Sequence, residues 1–219
     1  MISQLLKESL SSPDARYNYM HPHTNRLFVH FMELEEQSRE EFYELFKRKI
    51  LPKGTFLLKE GEISKKCYYL EKGMARSFHM KGKAETTIFF SFPNEFIDSY
   101  PSSALRIPSN VSIQLLSDAV VYEFDWSMLN KFKTKYPVIW KIEEIIIVCL
   151  ITALESKLVN MQSMSVQERY EELLVNHRQL VRNVSLIHIA NYIGCSPECI
   201  SRIRAKIFCN KNNVFQQLH

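Results

Sequence analysis

Between Ser185 and Arg204 the order of side chains leaves little choice of local structure. Ser185 stands where it can cap a helix whose inward positions are Ile189 and Ile193. Ala190 is small, as it must be where two helices cross at close range. Gly194, four residues on, can take the left-handed conformation of a tight turn. Ser196 then caps a second helix, Pro197 suits its first position, and Glu198 complements the positive end of the helix. Ile200 and Ile203 face back onto Ile189 and Ile193. That arrangement leaves Pro197, Glu198, Ser201, Arg202 and Lys206 outward, with Glu198, Ser201 and Arg202 clustered near the helix start.

Charge is distributed to match. The formal net charge is only +4, but residues 178–219 carry Arg178, Arg182, Arg202, Arg204, Lys206 and Lys211 against Glu198 alone. A basic C-terminal end suits a polyanion, and a helix-turn-helix presents the N-terminal end of its second helix to the DNA major groove. Double-stranded DNA is therefore the expected partner, with Arg178 and Arg182 as backbone contacts. A plain helical hairpin with a solvated basic face is the competing expectation.

After Pro137 runs the longest helical pattern, to about residue 162, with neither Gly nor Pro inside. It carries two apolar stripes. One holds Ile139, Ile142, Ile146, Cys149 and Ala153; the other holds Ile147, Ile151, Leu154, Leu158 and Met161, spaced alternately four and three as in a heptad seam. A surface helix needs one apolar face, so two stripes imply packing on two bodies: its own β-unit and the same helix of a second subunit. Burial inside one large domain is the alternative.

Upstream the texture is different. Short β-branched and aromatic runs, Thr55–Lys59, Cys67–Leu70, Ala75–Met80, Glu85–Phe92, Val111–Leu116 and Ala119–Phe124, predict strands. Four of the five glycines, Gly54, Gly61, Gly73 and Gly82, fall at breaks between them. Evenly spaced short strands predict an all-β barrel or sandwich over about residues 50–125. Ahead of it, Ser38 and Glu41 read as a capping box opening a short helix with Phe42, Leu45 and Phe46 on its apolar side. Behind it, Asp125 reads as the N-cap of a helix to about Lys133. Residues 1–25 read as an arm with at most one short helix.

Enzymatic chemistry finds no residues to carry it. A metal site inside a β-barrel needs several His and a carboxylate, yet His79 is the one histidine between residues 50 and 125, and His21 and His23 lie outside. No Gly-x-Ser-x-Gly, Walker or dinucleotide glycine pattern occurs. Cys195, Cys199 and His188 lack a second ligand pair, so neither a metal nor a cofactor is expected. Five cysteines without paired spacing, and no secretory signal, point to a reduced cytoplasmic compartment. The most apolar run, Ile145–Leu154, falls well short of the roughly 20 residues a membrane span needs.

Over about residues 35–208 the sequence resembles the Crp/Fnr family of bacterial regulators. Gly194 to Ile203 is similar to that family's recognition-helix pattern, with Glu198, Ser201 and Arg202 matching the Fnr-like form. Lys53-Gly54-Thr55-Phe56, Glu60-Gly61-Glu62 and Tyr68 through Gly73 look like the opening strands of its cyclic-nucleotide-binding β-roll. The resemblance implies an α+β fold: an N-terminal β-roll (double-stranded β-helix, or jelly roll), a long dimerisation helix and a helical C-terminal helix-turn-helix domain. The expected spans are 1–135, 136–163 and 164–219. It also implies a homodimeric DNA-binding transcription regulator with RNA polymerase as a partner and a small-molecule effector in the roll. A signalling protein that acts through protein partners without DNA is the rival reading.

Two departures from the family pattern qualify this. Where the phosphate cassette usually has Phe-Ile-Gly-Glu and a later Arg, this chain has Phe96-Ile97-Asp98-Ser99 and Ile107-Pro108-Ser109-Asn110. Arg106 is displaced, and Asp98 would repel an anion, so cyclic AMP in the usual mode is not expected. Phe96, Ile97, Asp98, Ser99, Arg106, Ser109 and Asn110 remain the candidate effector pocket. Only eleven residues follow Phe208, too few for the β-wing of many relatives. No cysteine precedes Cys67, so Fnr-type iron–sulfur sensing is not expected.

Overall fold

The computed structural model describes residues 35–82 and 84–216, with the side chains of all of these except residues 142, 145, 146, 149 and 208–216. The expected N-terminal arm lies outside the described residues. A short helix α1 (Glu36–Glu44) leads into strands β1 (Lys47–Leu51), β2 (Phe56–Leu58), β3 (Lys66–Lys72), β4 (Ala75–Lys81), β5 (Ala84–Ser91) and β6 (Phe96–Ile97). Helix α2 (Tyr100–Leu105), strands β7 (Ser112–Leu115) and β8 (Ala119–Asp125) and helix α3 (Trp126–Lys135) follow. The remainder is helical: α4 (Val138–Ser163), α5 (Val166–Asn176), α6 (Arg178–Asn183), α7 (Leu186–Ile193) and α8 (Pro197–Gln216).

The strands form two four-stranded antiparallel sheets, β1-β8-β3-β6 and β2-β7-β4-β5. Period-two alternation decides what lies between them. Tyr68 and Leu70 of β3 and Ala119 and Val121 of β8 turn inward, against Leu58, Ala75, Ile97, Ile113 and Leu115. Their neighbours Cys67 and Phe124 turn outward, where Phe42, Leu129, Phe132 and Ile139 of α1, α3 and α4 cover them. The middle of the first sheet, β3 and β8, is thus buried on both faces, which is why β3 reads as a nearly continuous apolar run. Leu70 and Val121 are fully buried, each worth roughly 1.5–3 kcal/mol relative to exposure. Gly73, at φ 107°, is needed at the β3–β4 corner: a Cβ there would sit 2.8 Å from both the Ala119 Cβ and the Asp118 carbonyl oxygen.

All six expected strands form, within a few residues of their expected ends. β1 went unforeseen because Lys47, Arg48 and Lys49 hide its pattern: it is an exposed edge strand, and such charges keep edges from pairing with other chains. The capping box at Ser38 does not exist. α1 begins earlier, Ser38 is buried within it, and Leu45 and Phe46 lie past its end. Tertiary packing sets this segment: Phe42 rests on Phe132 at 5.5 Å and Phe46 on Phe124 at 4.8 Å. A capping box does form at Ser165 and Glu168, opening α5. Asp125 caps α3 as expected, accepting from the Ser127 amide at 2.7 Å.

Candidate functional site

α7 and α8 cross over a left-handed Gly194 (φ 87°), whose amide donates to the Ala190 carbonyl at 2.9 Å. Ser196 caps α8, its hydroxyl accepting from the Cys199 amide at 3.3 Å. Ser185 occupies the N-cap position of α7 but makes no side-chain cap bond. Ile189, Ala190, Ile193 and Ile200 are buried together with Tyr170 of α5 and Leu180 of α6, and Ile203 packs against them. The outer face of α8 carries Glu198, Ser201, Arg202 and Lys206, all exposed, with Pro197 half-buried. The Ser196 hydroxyl holds the Glu198 carboxyl below its usual range, with a smaller contribution from Arg202. Ser201 turns its hydroxyl back onto the Pro197 carbonyl at 3.0 Å, and Lys206 reaches Gln167 of α5 at 3.3 Å. Arg178 and Arg182, on α6, are exposed.

Not every basic residue of this region is available. Arg204 donates to the Tyr170 hydroxyl at 2.7 Å and is structural. Arg169, which the sequence did not single out, ties two helix ends together: it donates to the Ile193 carbonyl at the end of α7 (3.2 Å) and to the Met164 carbonyl beyond α4 (2.5 Å). A guanidinium inside an amphipathic helix has no sequence signature for such a role.

The residues of the expected effector pocket lie around the start of α2. Ile97 is buried in the roll, and Phe96 packs on the opposite side with Tyr69 and Phe124. Asp98 accepts hydroxyl bonds from Ser64 (2.7 Å) and Ser103 (2.8 Å); burial raises its carboxyl pKa against the pull of those bonds. Ser109 donates to the Ser99 hydroxyl at 3.0 Å, and both are buried. Asn110 is exposed, and its carbonyl lies 2.9 Å from His79 Nδ1. Arg106 is exposed in a left-handed conformation at the end of α2, where its charge acts on Asp125. The cassette's polar groups are thus engaged locally: Asp98 with the Ser64 and Ser103 hydroxyls, and Ser99 with the Ser109 hydroxyl.

Along α4 the two stripes have different fates. Ile139 is buried and Ala153 half-buried, while the side chains of Ile142, Ile146 and Cys149 lie outside the described set. In the second stripe Ile147 is half-buried, but Ile151 (57%), Leu154 (45%), Leu158 (58%) and Met161 (50%) are exposed. Most of this face is therefore exposed on the single chain.

A seam between the β-roll and the C-terminal helices was not legible in the sequence. β5 lies against α7, with Phe90 on Tyr192 at 5.0 Å. Lys157 of α4 reaches into the seam, donating to the Ile88 carbonyl and lying 4.1 Å from the Tyr192 ring centre. Arg76 of β4, only 3% exposed, donates to Glu85 (2.5 Å) and Gln114 (3.2 Å) and lies 2.8 Å from His188 Nδ1 on α7. No group of three or more potential metal ligands occurs among the described residues, and none of their helices is long and apolar enough to cross a membrane.

Residues 48–136 match the family described as "Cyclic nucleotide-binding domain". No curated protein is significantly similar to the chain in sequence. Among solved structures, FixK2 from Bradyrhizobium japonicum aligns with a TM-score of 0.64 at 17% identity, over 76% of this chain and 86% of its own. CLP, a c-di-GMP-responsive global regulator from Xanthomonas campestris, aligns at 0.62 and 16%, over 81% and 93%. A protein from Eubacterium rectale assigned to the Crp/Fnr family of transcriptional regulators aligns at 0.65 and 14%, over 84% and 88%. Residues 48–136 thus match the cyclic nucleotide-binding domain, and the fold of the chain is like that of the solved Crp/Fnr-type regulators.

Proposed function

We propose that this protein is a sequence-specific DNA-binding transcription regulator of the Crp/Fnr type, acting as a homodimer and working with RNA polymerase rather than as an enzyme. The observation that carries the reading is the exposed cluster Glu198, Ser201 and Arg202 on the first turns of α8, a helix whose opposite face is fixed by Ile200 and Ile203 against α7. A free helix start with a guanidinium on its outer face is suited to a major groove. Arg178 and Arg182 extend the basic surface, as phosphate contacts need. In this reading residues 1–135 sense, 136–163 dimerise through Ile151, Leu154 and Leu158, and 164–219 bind DNA.

The effector is not cyclic AMP in the usual mode. A cyclic phosphate needs a cation, yet the exposed Arg106 stands near enough to Asp125 to lower its pKa, and the Ser109 hydroxyl is already engaged with Ser99. Desolvating an anion beside Asp98 without a paired guanidinium is unfavourable.

Selection of bound DNA from a random library, with the purified full-length protein, tests the reading. The expected product is an inverted repeat whose half-sites lie about one helical turn, roughly 34 Å, apart. Failure to enrich any sequence, at low and moderate salt alike, would exclude it and favour action through protein partners.

A further inference from the structure

We propose that the contact between Arg76 of β4 and His188 of α7 is a proton-operated latch, which holds the helix-turn-helix pair against the β-roll while His188 is neutral and releases it when the ring takes up a proton. The geometry fixes the ring's state. An arginine guanidinium can only donate, so Nδ1 of His188, 2.8 Å away, must be the acceptor and the ring proton must sit on Nε2. A second proton, on Nδ1, would point at a buried cation. Arg76 cannot retreat, because it is 3% exposed and pinned by Glu85 at 2.5 Å, by Gln114 at 3.2 Å and by the Phe78 ring at 4.0 Å.

Three charged groups face the ring from the roll: Arg76 on β4, Glu85 on β5, whose carboxylate lies 3.8 Å from Nδ1, and Lys53 before β2. Burial and then Arg76 lower the His188 pKa, Glu85 opposes them, and Lys53 adds to the lowering. The docked ring therefore binds protons less well than a free histidine, whose pKa is about 6.5. Docking is fully favoured above that value and weakens as pH falls through it toward the docked pKa. Burial lowers Lys157 on the same seam to about 8, so it stays charged across the window in which His188 titrates. Farther along the seam lie His177, stacked on Phe92 at 4.6 Å, and Glu95, which accepts from the Phe92 amide. Burial lowers the pKa of His177 and raises that of Glu95 to about 8, so both also respond to acid.

The latch itself does not depend on DNA, but its regulatory consequence rests on the DNA-binding reading above. Hydrogen exchange on the full chain without DNA, between pH 7.5 and 5.5 and corrected for intrinsic rates, tests it. The expected result is a several-fold loss of protection in the segments 84–91 and 186–193 together, with little change in 119–125. In His188→Gln the side-chain carbonyl still accepts from Arg76 but does not titrate, so most of that loss should vanish, while His177 and Glu95 are left in place. Equal losses in both proteins, or none in the wild type, would overturn the latch. Should His188→Gln fold poorly, an imidazole titration of the wild-type chain decides: a His188 pKa above that of a free histidine refutes it. A gel shift against the selected DNA, run on both proteins over the same range, separates the two ideas. Opening without any DNA binding leaves the latch standing and defeats the DNA reading. Opening with the same pH dependence of affinity in both proteins defeats the regulatory consequence.

Discussion

Arg202 and Arg178 are both exposed cations on the C-terminal helices, yet their removal should have different consequences. Arg202 stands four residues after Glu198 on the outer face of α8, where a guanidinium can bond a guanine edge in bidentate fashion and a carboxylate can accept from a cytosine amino group. Arg202→Ala is expected to cost about 1–3 kcal/mol at the preferred site and to relax preference at one base pair per half-site. Arg178→Ala, at the start of α6, should weaken binding to all sequences alike and lower the salt dependence. Binding selections at two salt concentrations check both. If Arg202 only partnered Glu198 along the helix, its alanine variant would keep the wild-type preference. Arg204, bonded to Tyr170, should behave differently again, losing folding stability when truncated.

α4 is the element whose surface asks for a partner. Ile151, Leu154 and Leu158 are all about half exposed on one chain, a stripe that costs free energy in water and is regained when two such helices pair. Leu154→Glu places a charge on this stripe, and sedimentation velocity is expected to find a monomer for the variant and a dimer for the wild type, with the circular dichroism spectrum preserved. A wild-type chain that is already monomeric at micromolar concentration, with or without DNA, would overturn dimerisation through α4. The turn between α7 and α8 gives a second element-scale test. Gly194 has positive φ but open space around its missing Cβ, so Gly194→Ala should cost about 1–2 kcal/mol from backbone strain alone. Gly73→Ala meets both strain and a 2.8 Å clash with Ala119, and chemical denaturation should find it clearly the more damaging of the two.

For the molecule as a whole, the cassette and the seam together set how a signal in the roll can reach α8. β5 touches α7 directly, and Lys157 brings α4 into the same seam, so the roll, the long helix and the helix-turn-helix share one joint. A displacement of β4 or β5 would therefore be felt directly at α7, without passing along α4. Because Asp98 adds negative charge to the cassette and Ser99 and Ser109 are engaged with each other, a calorimetric titration with cyclic AMP should give no heat of binding at micromolar concentrations, and the ligand should leave DNA affinity unchanged. A low-micromolar dissociation constant would make the exposed Arg106 the first candidate partner for the phosphate.

Local chemistry determined a good part of this architecture. Turn glycines, alternation and caps are short-range properties, so the strands β2, β3, β4, β5, β7 and β8, the N-cap at Asp125, the extent of α4 and the left-handed Gly194 could be read from neighbouring residues. The outward face of α8 was legible for the same reason, since helical period alone separates Ile200 and Ile203 from Glu198, Ser201 and Arg202. Only the tertiary structure decided the rest. β1 forms because β8 offers it a ladder, and α1 starts before Ser38 because aromatic packing on Phe132 and Phe124 outweighs a local cap. Arg76 and His188 are 112 residues apart, and nothing in either neighbourhood marks them as partners. A contact between a buried guanidinium and a neutral imidazole depends on how two units dock, and docking is set by the summed burial of many side chains, not by any local pattern.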